Sequence, residues 1–546
     1  MFRRLVRRIT DPRELPDSWA DRCLWAVLGL GLVLRLRAYL SADSLWLDEV
    51  FLATSFQDPT LADLLRRPLE YGHILPGGFL AMTWLSVQLL GCQDLALKLF
   101  PFLCGALSLP MFLAVARAYL PQPAVLWAVV LFSLSSPLIA FSGEFKQYTT
   151  DVAVGLGILW ITARLEGNEG KPRWLAAYVL AGVVAVWFSM PAIFLLAGAG
   201  LYWLASRLRL ALASRTEEGE RGNGCWRGTA GLGLVGLVWA ANWLFVFLVV
   251  MGGGPQETPP GPWAVEFWRL EGAFMPSPFT TQGALWLIEA VQHLFDHAAG
   301  LRPAWLAAGL FLLGCWAAPG RERTLLVLLS PILLCAAASH FERYPFFGNS
   351  PSTGRVLLFL VPGLLMMIAA GLSRLPGGNA PAATALRLLV ILVLVGIPHV
   401  RPWQPRQEIK PCLSRLQQSW RPGDRIYVYH WAEPAFRYYA GRYGLPSQGK
   451  LIHPLARYPF VKEIDARRQA LGLHPVPVEQ ATVIWGVSEH FSYGRRDLDL
   501  LDGRGRVWFL FTHCANTDVW VRYLDTLGQQ REACEFPGAS LFLYDL

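Results

Sequence analysis

Long apolar runs separated by short polar breaks fill the first 400 residues of this chain. A helix needs about 17 to 25 apolar residues to cross the roughly 30 Å hydrocarbon core of a bilayer. Runs near that length fall at 23–40, 97–118, 124–141, 151–165, 174–189, 191–206, 229–250, 302–318, 324–340, 356–373 and 384–400. The pattern therefore predicts a polytopic α-helical membrane protein with about eleven spans. A further run, 74–91, is short, opens Ile74-Leu75-Pro76-Gly77-Gly78 and carries Ser86 and Gln88. If it does not cross, Arg117, Arg164, Lys171, Arg173, Arg207, Arg209, Arg215, Arg221, Arg227, Arg321, Arg323 and Arg374 all share the side of Arg3, Arg4, Arg7 and Arg8. Basic loops are retained in the cytoplasm, so that side is read as cytoplasmic and 74–91 as a juxtamembrane or re-entrant helix within a long first outer loop, 41–96.

The pattern changes at 401. Arg401-Pro402-Trp403-Gln404-Pro405 reads as a linker, and beyond it short alternating runs replace the long apolar ones. Residues 425–429, 481–485, 506–511 and 540–544 have strand character, and helices are expected near 433–440 and 516–528. Two domains follow: 1–400 in the membrane and 401–546, an outward-facing (periplasmic or extracytoplasmic) α/β domain.

Composition agrees. Only 16% of residues are charged and 54% are hydrophobic, against about 25% charged in soluble domains. The net charge of +8 lies in loops between spans, which removes nucleic acid as a partner. Gly252-Gly253-Gly254-Pro255 lacks the following Lys-Ser or Lys-Thr of a phosphate cradle, so nucleotide-driven pumping is not indicated. The histidines show no zinc spacing; His293 and His297 are four apart, but an amphipathic outer helix explains them better. Cys514 and Cys534 share the tail and bracket an expected helix-to-strand unit, from which a disulfide is expected.

Candidate chemistry collects on the outer side. Asp48 and Glu49 follow the first span closely, where carboxylates are costly near lipid. They could cap a short helix, or serve as a base whose pKa an apolar wall raises, with a second acid to hold an acceptor. The hairpin Ser142-Gly143-Glu144-Phe145-Lys146-Gln147-Tyr148-Thr149-Thr150-Asp151 carries an outward cation, Lys146, against the charge bias of the chain. Lysine there could snorkel, or meet a phosphate. His340 to Arg355 adds Arg343, equally well an interface anchor, and Arg355, set directly against an apolar run where burial of charge is costly unless an anion offsets it.

In their order and common sidedness these motifs resemble the C-type (GT-C) membrane glycosyltransferases, especially the bacterial branch related to protein O-mannosyltransferases and aminoarabinose transferases. Trp46-Leu47-Asp48-Glu49 looks like the family's first-loop acidic motif. His73-Ile74-Leu75-Pro76-Gly77 resembles its His-Pro-Pro start, with Ile74-Leu75 interposed. Ala96 to Pro101 is similar to its Ala-Leu-Arg-Leu-Pro, with Lys98 for arginine. Glu144 to Tyr148 with Asp151 looks like its second-loop motif, with Lys146 for arginine, and Tyr344 to Pro362 resembles a late Gly-Arg loop. The resemblance implies an inverting transfer of sugar from a polyprenyl-phosphate donor to a lipid, glycan or protein acceptor at the outer face of a plasma (inner) membrane. It makes Asp48 and Glu49 catalytic, with Lys146, Arg355, Glu144, Tyr148, Asp151, Arg343 and His73 binding donor or acceptor. A divalent cation is compatible with these carboxylates, though the spacing does not demand one. The rivals are a transporter or lipid flippase, which would show broken helices in matched halves, and a non-catalytic assembly protein. Only one apolar run, 74–91, carries a Pro-Gly-Gly break within it.

Overall fold

The computed structural model describes residues 19–546 except 42, 58, 67–68, 167, 169–170, 215–221, 247, 249–261, 319–320, 349–350, 378–379, 401–405 and 454–473. The N-terminal arginines, Arg215, Arg221, the Gly252–Pro255 breaker and the 401–405 linker lie outside the described residues. The chain divides into two compact units: 1–40 with 75–86 and 98–401, and 41–74 with 87–97 and 402–546.

The first unit is helical. Helices stand at each of the predicted apolar runs, beginning with Trp19–Tyr39 and ending with Pro381–Val400. By length and composition three helices, Asp94–Tyr119, Glu322–His340 and Gly354–Leu372, are able to cross a membrane among the described residues, and a bent pair would make a fourth. The Gly77–Leu90 helix has 14 residues, about 21 Å at 1.5 Å per residue, short of the hydrocarbon thickness.

The bent pair, Gln122–Leu134 and Ser136–Gly143, turns by 53°. Ser135 at the break has extended backbone, ψ 116, and Pro137 follows, so the helical bond ladder stops there. In an apolar layer the released carbonyls need donors. Arg35, fully buried, supplies them: its guanidinium donates to the carbonyls of Phe132 and Ser133, both at 3.2 Å, and to Gly31 at 3.0 Å. A buried arginine in the first span thus sets the direction in which the chain leaves for the Ser142–Asp151 segment.

The second unit centres on a five-stranded sheet of order β2-β1-β3-β5-β4, where β1 is Arg425–Val428, β2 Val483–Trp485, β3 Arg506–Thr512, β4 Gln529–Phe536 and β5 Ala539–Asp545. β1 runs parallel to β2 and β3, whereas β5 is antiparallel to both β3 and β4. The central strands are apolar and buried on both faces, as parallel sheets require; Trp508, Phe509 and Leu510 are each 0% exposed. β4 is absent from the strand pattern expected of the sequence, because Gln529-Gln530-Arg531-Glu532 is polar. It is an edge strand, and polar charged edges resist unwanted pairing. The expected Cys514–Cys534 disulfide is not formed: both are free thiols. Cys534 sits on β4 opposite Leu541, and Cys514 follows β3, so β5 stands between them.

The first-loop segment 41–74 and residues 87–97 pack with this tail. The Ser44 amide donates to Glu408 Oε1 at 2.9 Å, and the Leu45 amide to the Tyr439 hydroxyl at 2.9 Å. The Leu47–Ala53 helix lies against the Glu433–Tyr439 helix.

Candidate active site

In the helical unit the 3-10 turn Phe141–Gly143 leads into Glu144 and Lys146. A Cβ at Gly143 would stand 2.3 Å from the Ala38 carbonyl oxygen, so only glycine lets this turn lie on the first span. Glu144 and Lys146 are each 5% exposed. Phe145 between them is wholly buried and faces Phe79, ring centroids 6.1 Å apart. The Tyr148–Glu166 helix then begins, with the Thr149 hydroxyl bonded to the Pro101 carbonyl at 2.8 Å. Tyr148 and Asp151 are three apart and share a helix face. Asp151 is 6% exposed, and its Oδ1 has no hydrogen-bond partner among the described residues, with the Ser189 hydroxyl nearby.

The late loop meets that face. Arg355 places its guanidinium 5.9 Å from the Tyr148 ring centroid. Gly354 allows this, since a Cβ there would come within 2.8 Å of the Ala298 amide. Tyr344 donates to the Val356 carbonyl at 2.7 Å and neighbours both Asp151 and Tyr148. Tyr148, Asp151, Tyr344 and Arg355 are thereby brought together, and Tyr344 was not among the residues singled out from sequence for binding. Its only sequence signal was its place in the late motif. Arg343 is exposed. The adjacent Glu342 is engaged by Arg269 at 2.7 Å, which holds its carboxyl below the usual range.

In the tail unit Asp48 is half-buried and Glu49 is 3% exposed. Glu49 Oε2 accepts from the Trp46 amide at 3.1 Å, so Glu49 caps the helix start while also lying beside Asp48. Asp48 and Phe51 share a face of this helix. The Phe51 ring stacks on Tyr71 at 4.4 Å and approaches His73 at 5.9 Å and Trp431 at 6.3 Å. Tyr71 holds a left-handed φ of 59°, uncommon for a bulky residue, at the turn that presents His73. Asp48 also has a charge neighbour in the tail that sequence reading missed, His513, which faces Glu489 as well. His513 too is left-handed, φ 54°. Nothing in its local sequence marks it, because it follows a buried strand that reads as ordinary core.

Asp94 is a second polar centre unread from sequence. It accepts from Lys410 at 2.7 Å, Tyr439 at 2.8 Å, Arg442 at 3.1 Å and Tyr438 at 3.3 Å.

The His293 and His297 rings lie 4.5 Å apart, His293 stacking on Phe347. Asp296 between them pairs with Arg302. Among the described residues no three His, Cys, Asp or Glu side chains converge so as to hold a metal ion.

The sequence matches no protein-family model and no curated protein. The structure is nevertheless similar to that of ArnT from Cupriavidus metallidurans in the apo state, with a TM-score of 0.54 at 13% identity, over 96% of this chain and 98% of that one. ArnT from Cupriavidus metallidurans bound to undecaprenyl phosphate gives a TM-score of 0.52 at 14% identity, over 97% and 98%. The chain has the GT-C fold. The likeness runs through the tail as well, a region where the sequence motifs do not reach, and the shared fold is one of apolar helices with a small C-terminal sheet. Within that fold, Asp48 and Glu49 fall in one compact unit, and Glu144, Lys146, Asp151 and Arg355 in the other.

Proposed function

We propose that this protein is an integral membrane glycosyltransferase that moves a sugar from a polyprenyl-phosphate donor to an acceptor hydroxyl. The observation that carries this reading is the set of charged side chains, Glu144, Lys146 and Asp151 each 6% exposed or less, kept in an apolar helical unit whose fold is that of a protein bound to undecaprenyl phosphate. A fixed cation among apolar walls is worth most to an anion such as a lipid-linked phosphate, because little water screens the pair. About eleven spans are proposed, with the N-terminus and the 207–227 loop cytoplasmic and the tail outward.

In the proposed reaction the donor phosphate is held by Lys146 and Arg355, with Tyr148 beside Arg355. The acceptor hydroxyl oxygen attacks the anomeric carbon, its proton passes to the Asp48 carboxylate, and the bond from that carbon to the phosphate oxygen breaks with inversion. The electron pair leaves on polyprenyl phosphate, whose charge the two cations stabilise where water is scarce. Glu49, Glu144, Asp151 and His73 orient the sugar or acceptor, and Arg343 is a peripheral contact. A bound divalent cation would add charge stabilisation, and no step above depends on one.

Asp48→Asn tests the assignment, because the amide keeps the shape and removes the basic lone pair. Transfer is expected to fall about a hundredfold or more in protein that still purifies as a folded monodisperse species. Near-wild-type turnover would remove Asp48 as the base and leave Glu49 or Asp151.

A further inference from the structure

A groove of about 500 Å³ lies in the helical unit between the Ala192–Ser214 and Gly222–Phe245 helices, with Tyr178 of the Pro172–Phe188 helix at its floor. None of its lining residues belongs to the proposed reaction. Its walls are apolar apart from one cation. Leu196, Gly200, Trp203 and Arg207 recur at helical spacing on one helix, and Gly233, Gly236, Trp239 and Trp243 on the other, so each helix turns a single stripe toward the groove.

The glycines here differ from a packing glycine nearby. At Gly182 a Cβ would strike the Trp239 ring at 2.2 Å, so close approach of the helices demands glycine. At Gly200, Gly233 and Gly236 a Cβ would meet nothing within 4 Å, and glycine destabilises a helix interior relative to alanine. No helix contact requires these three. What they leave is open volume beside two buried tryptophans, Trp203 and Trp239.

From Ile193 to Arg207 the groove follows the helix for about 21 Å at 1.5 Å per residue, somewhat more than one leaflet's share of a roughly 30 Å core. That is the reach of one hydrocarbon chain. The cation sits at one end, where the helix runs on to Ser214. Arg209, two residues on, pairs with Glu322 and lies on a different face of the helix, since residues two apart do not face each other.

We infer that this groove seats one chain of a bilayer phospholipid bearing a net negative headgroup, with the headgroup phosphate at Arg207. The charge decides the class: a guanidinium offers a planar donor pair to a phosphate oxygen pair, and basic residues at a membrane surface favour anionic over zwitterionic lipid. The inference does not rest on the proposed reaction, since it uses only the apolar helices and this cation.

The test is native mass spectrometry of the full-length protein titrated with dioleoyl phosphatidylglycerol, dioleoyl phosphatidylcholine and farnesyl phosphate. Wild type is expected to retain phosphatidylglycerol at about fivefold lower concentration than phosphatidylcholine, since both carry the phosphate and the difference is the net headgroup charge felt by one basic residue at the membrane surface. Arg207→Gln should erase that preference without moving the melting temperature. Gly236→Leu, which raises helix propensity and fills the open volume, should lower retention of both phospholipids. Equal retention of the two phospholipids by wild type, unchanged phosphatidylglycerol retention in Arg207→Gln, or undiminished retention in Gly236→Leu would each overturn the site. Displacement of the bound phospholipid by equimolar farnesyl phosphate would overturn its assignment to a bilayer phospholipid.

Discussion

Glu144 and Lys146 in the helical unit sit among apolar neighbours such as Phe79 and Phe145, whereas Asp94 in the tail unit is gripped by two cations and two tyrosines. Both arrangements keep charge away from water. The Asp94 centre supplies its own compensation, so it behaves as structure. The charges of the helical unit are set in apolar walls, which is the setting where an incoming anion gains most from a fixed cation. A cation set in apolar walls is therefore the place to test for an anionic ligand, and the Asp94 network the place to test for a contribution to the fold.

The largest expected effect breaks the first half of that contrast. Lys146→Ala and Arg355→Ala should each weaken donor use tenfold to a hundredfold, since a charge-assisted phosphate contact is worth roughly 1.5 to 3 kcal/mol. Arg343→Ala should cost much less, because its side chain is exposed and its charge is screened. Lys146→Arg should keep part of the activity. Donor titrations in steady state measure all four; equal losses for Arg343 and Arg355 would dissolve the phosphate assignment.

The second half is tested at Asp94. Asp94→Asn leaves Lys410 and Arg442 without their shared carboxylate, and about 1 to 3 kcal/mol of stability should be lost in the tail unit. Denaturation followed by tail tryptophan fluorescence would read it. An effect on donor affinity with no effect on stability would make Asp94 part of a binding site.

A smaller effect concerns pH. Burial, then the nearby His297, pushes the His293 imidazole down to about 4 from its usual 6.5, and burial lowers His297 as well. The unfolded chain binds these protons more readily than the folded one, so stability should decline as pH falls from about 6.5 toward 4. Melting temperatures from pH 7.5 to 4.5 should fall less steeply in His293→Gln than in wild type; identical slopes would remove the histidine contribution.

Much of the fold was legible because lipid imposes a single rule. An apolar run of about twenty residues has few alternatives to a helix, and helices stand where the runs predicted them. The tail obeyed weaker rules. β4 was missed because an edge strand such as Gln529–Phe536 gains from polarity, which erases the alternation that marks a strand. The Cys514–Cys534 expectation failed because pairing depends on strand order, and β5 intervenes. Of the candidate residues, Lys146 and Arg355 stood out by interrupting apolar sequence. Asp94, His513 and Tyr344 did not, since their partners are hundreds of residues away or their neighbours are ordinary. The grouping of 41–74 with the tail is likewise set by bonds such as Ser44 to Glu408, which no local pattern announces.

The central claim is that this chain breaks the bond between sugar and lipid phosphate. Purified protein incubated with a polyprenyl-phosphate sugar labelled in the sugar, in the presence of envelope-derived acceptors, measures it directly. The account predicts stoichiometric release of polyprenyl phosphate, with the label moved to an acceptor in the opposite anomeric configuration. Donor recovered intact, whether bound or carried across a proteoliposome membrane, would contradict the account and favour a transporter.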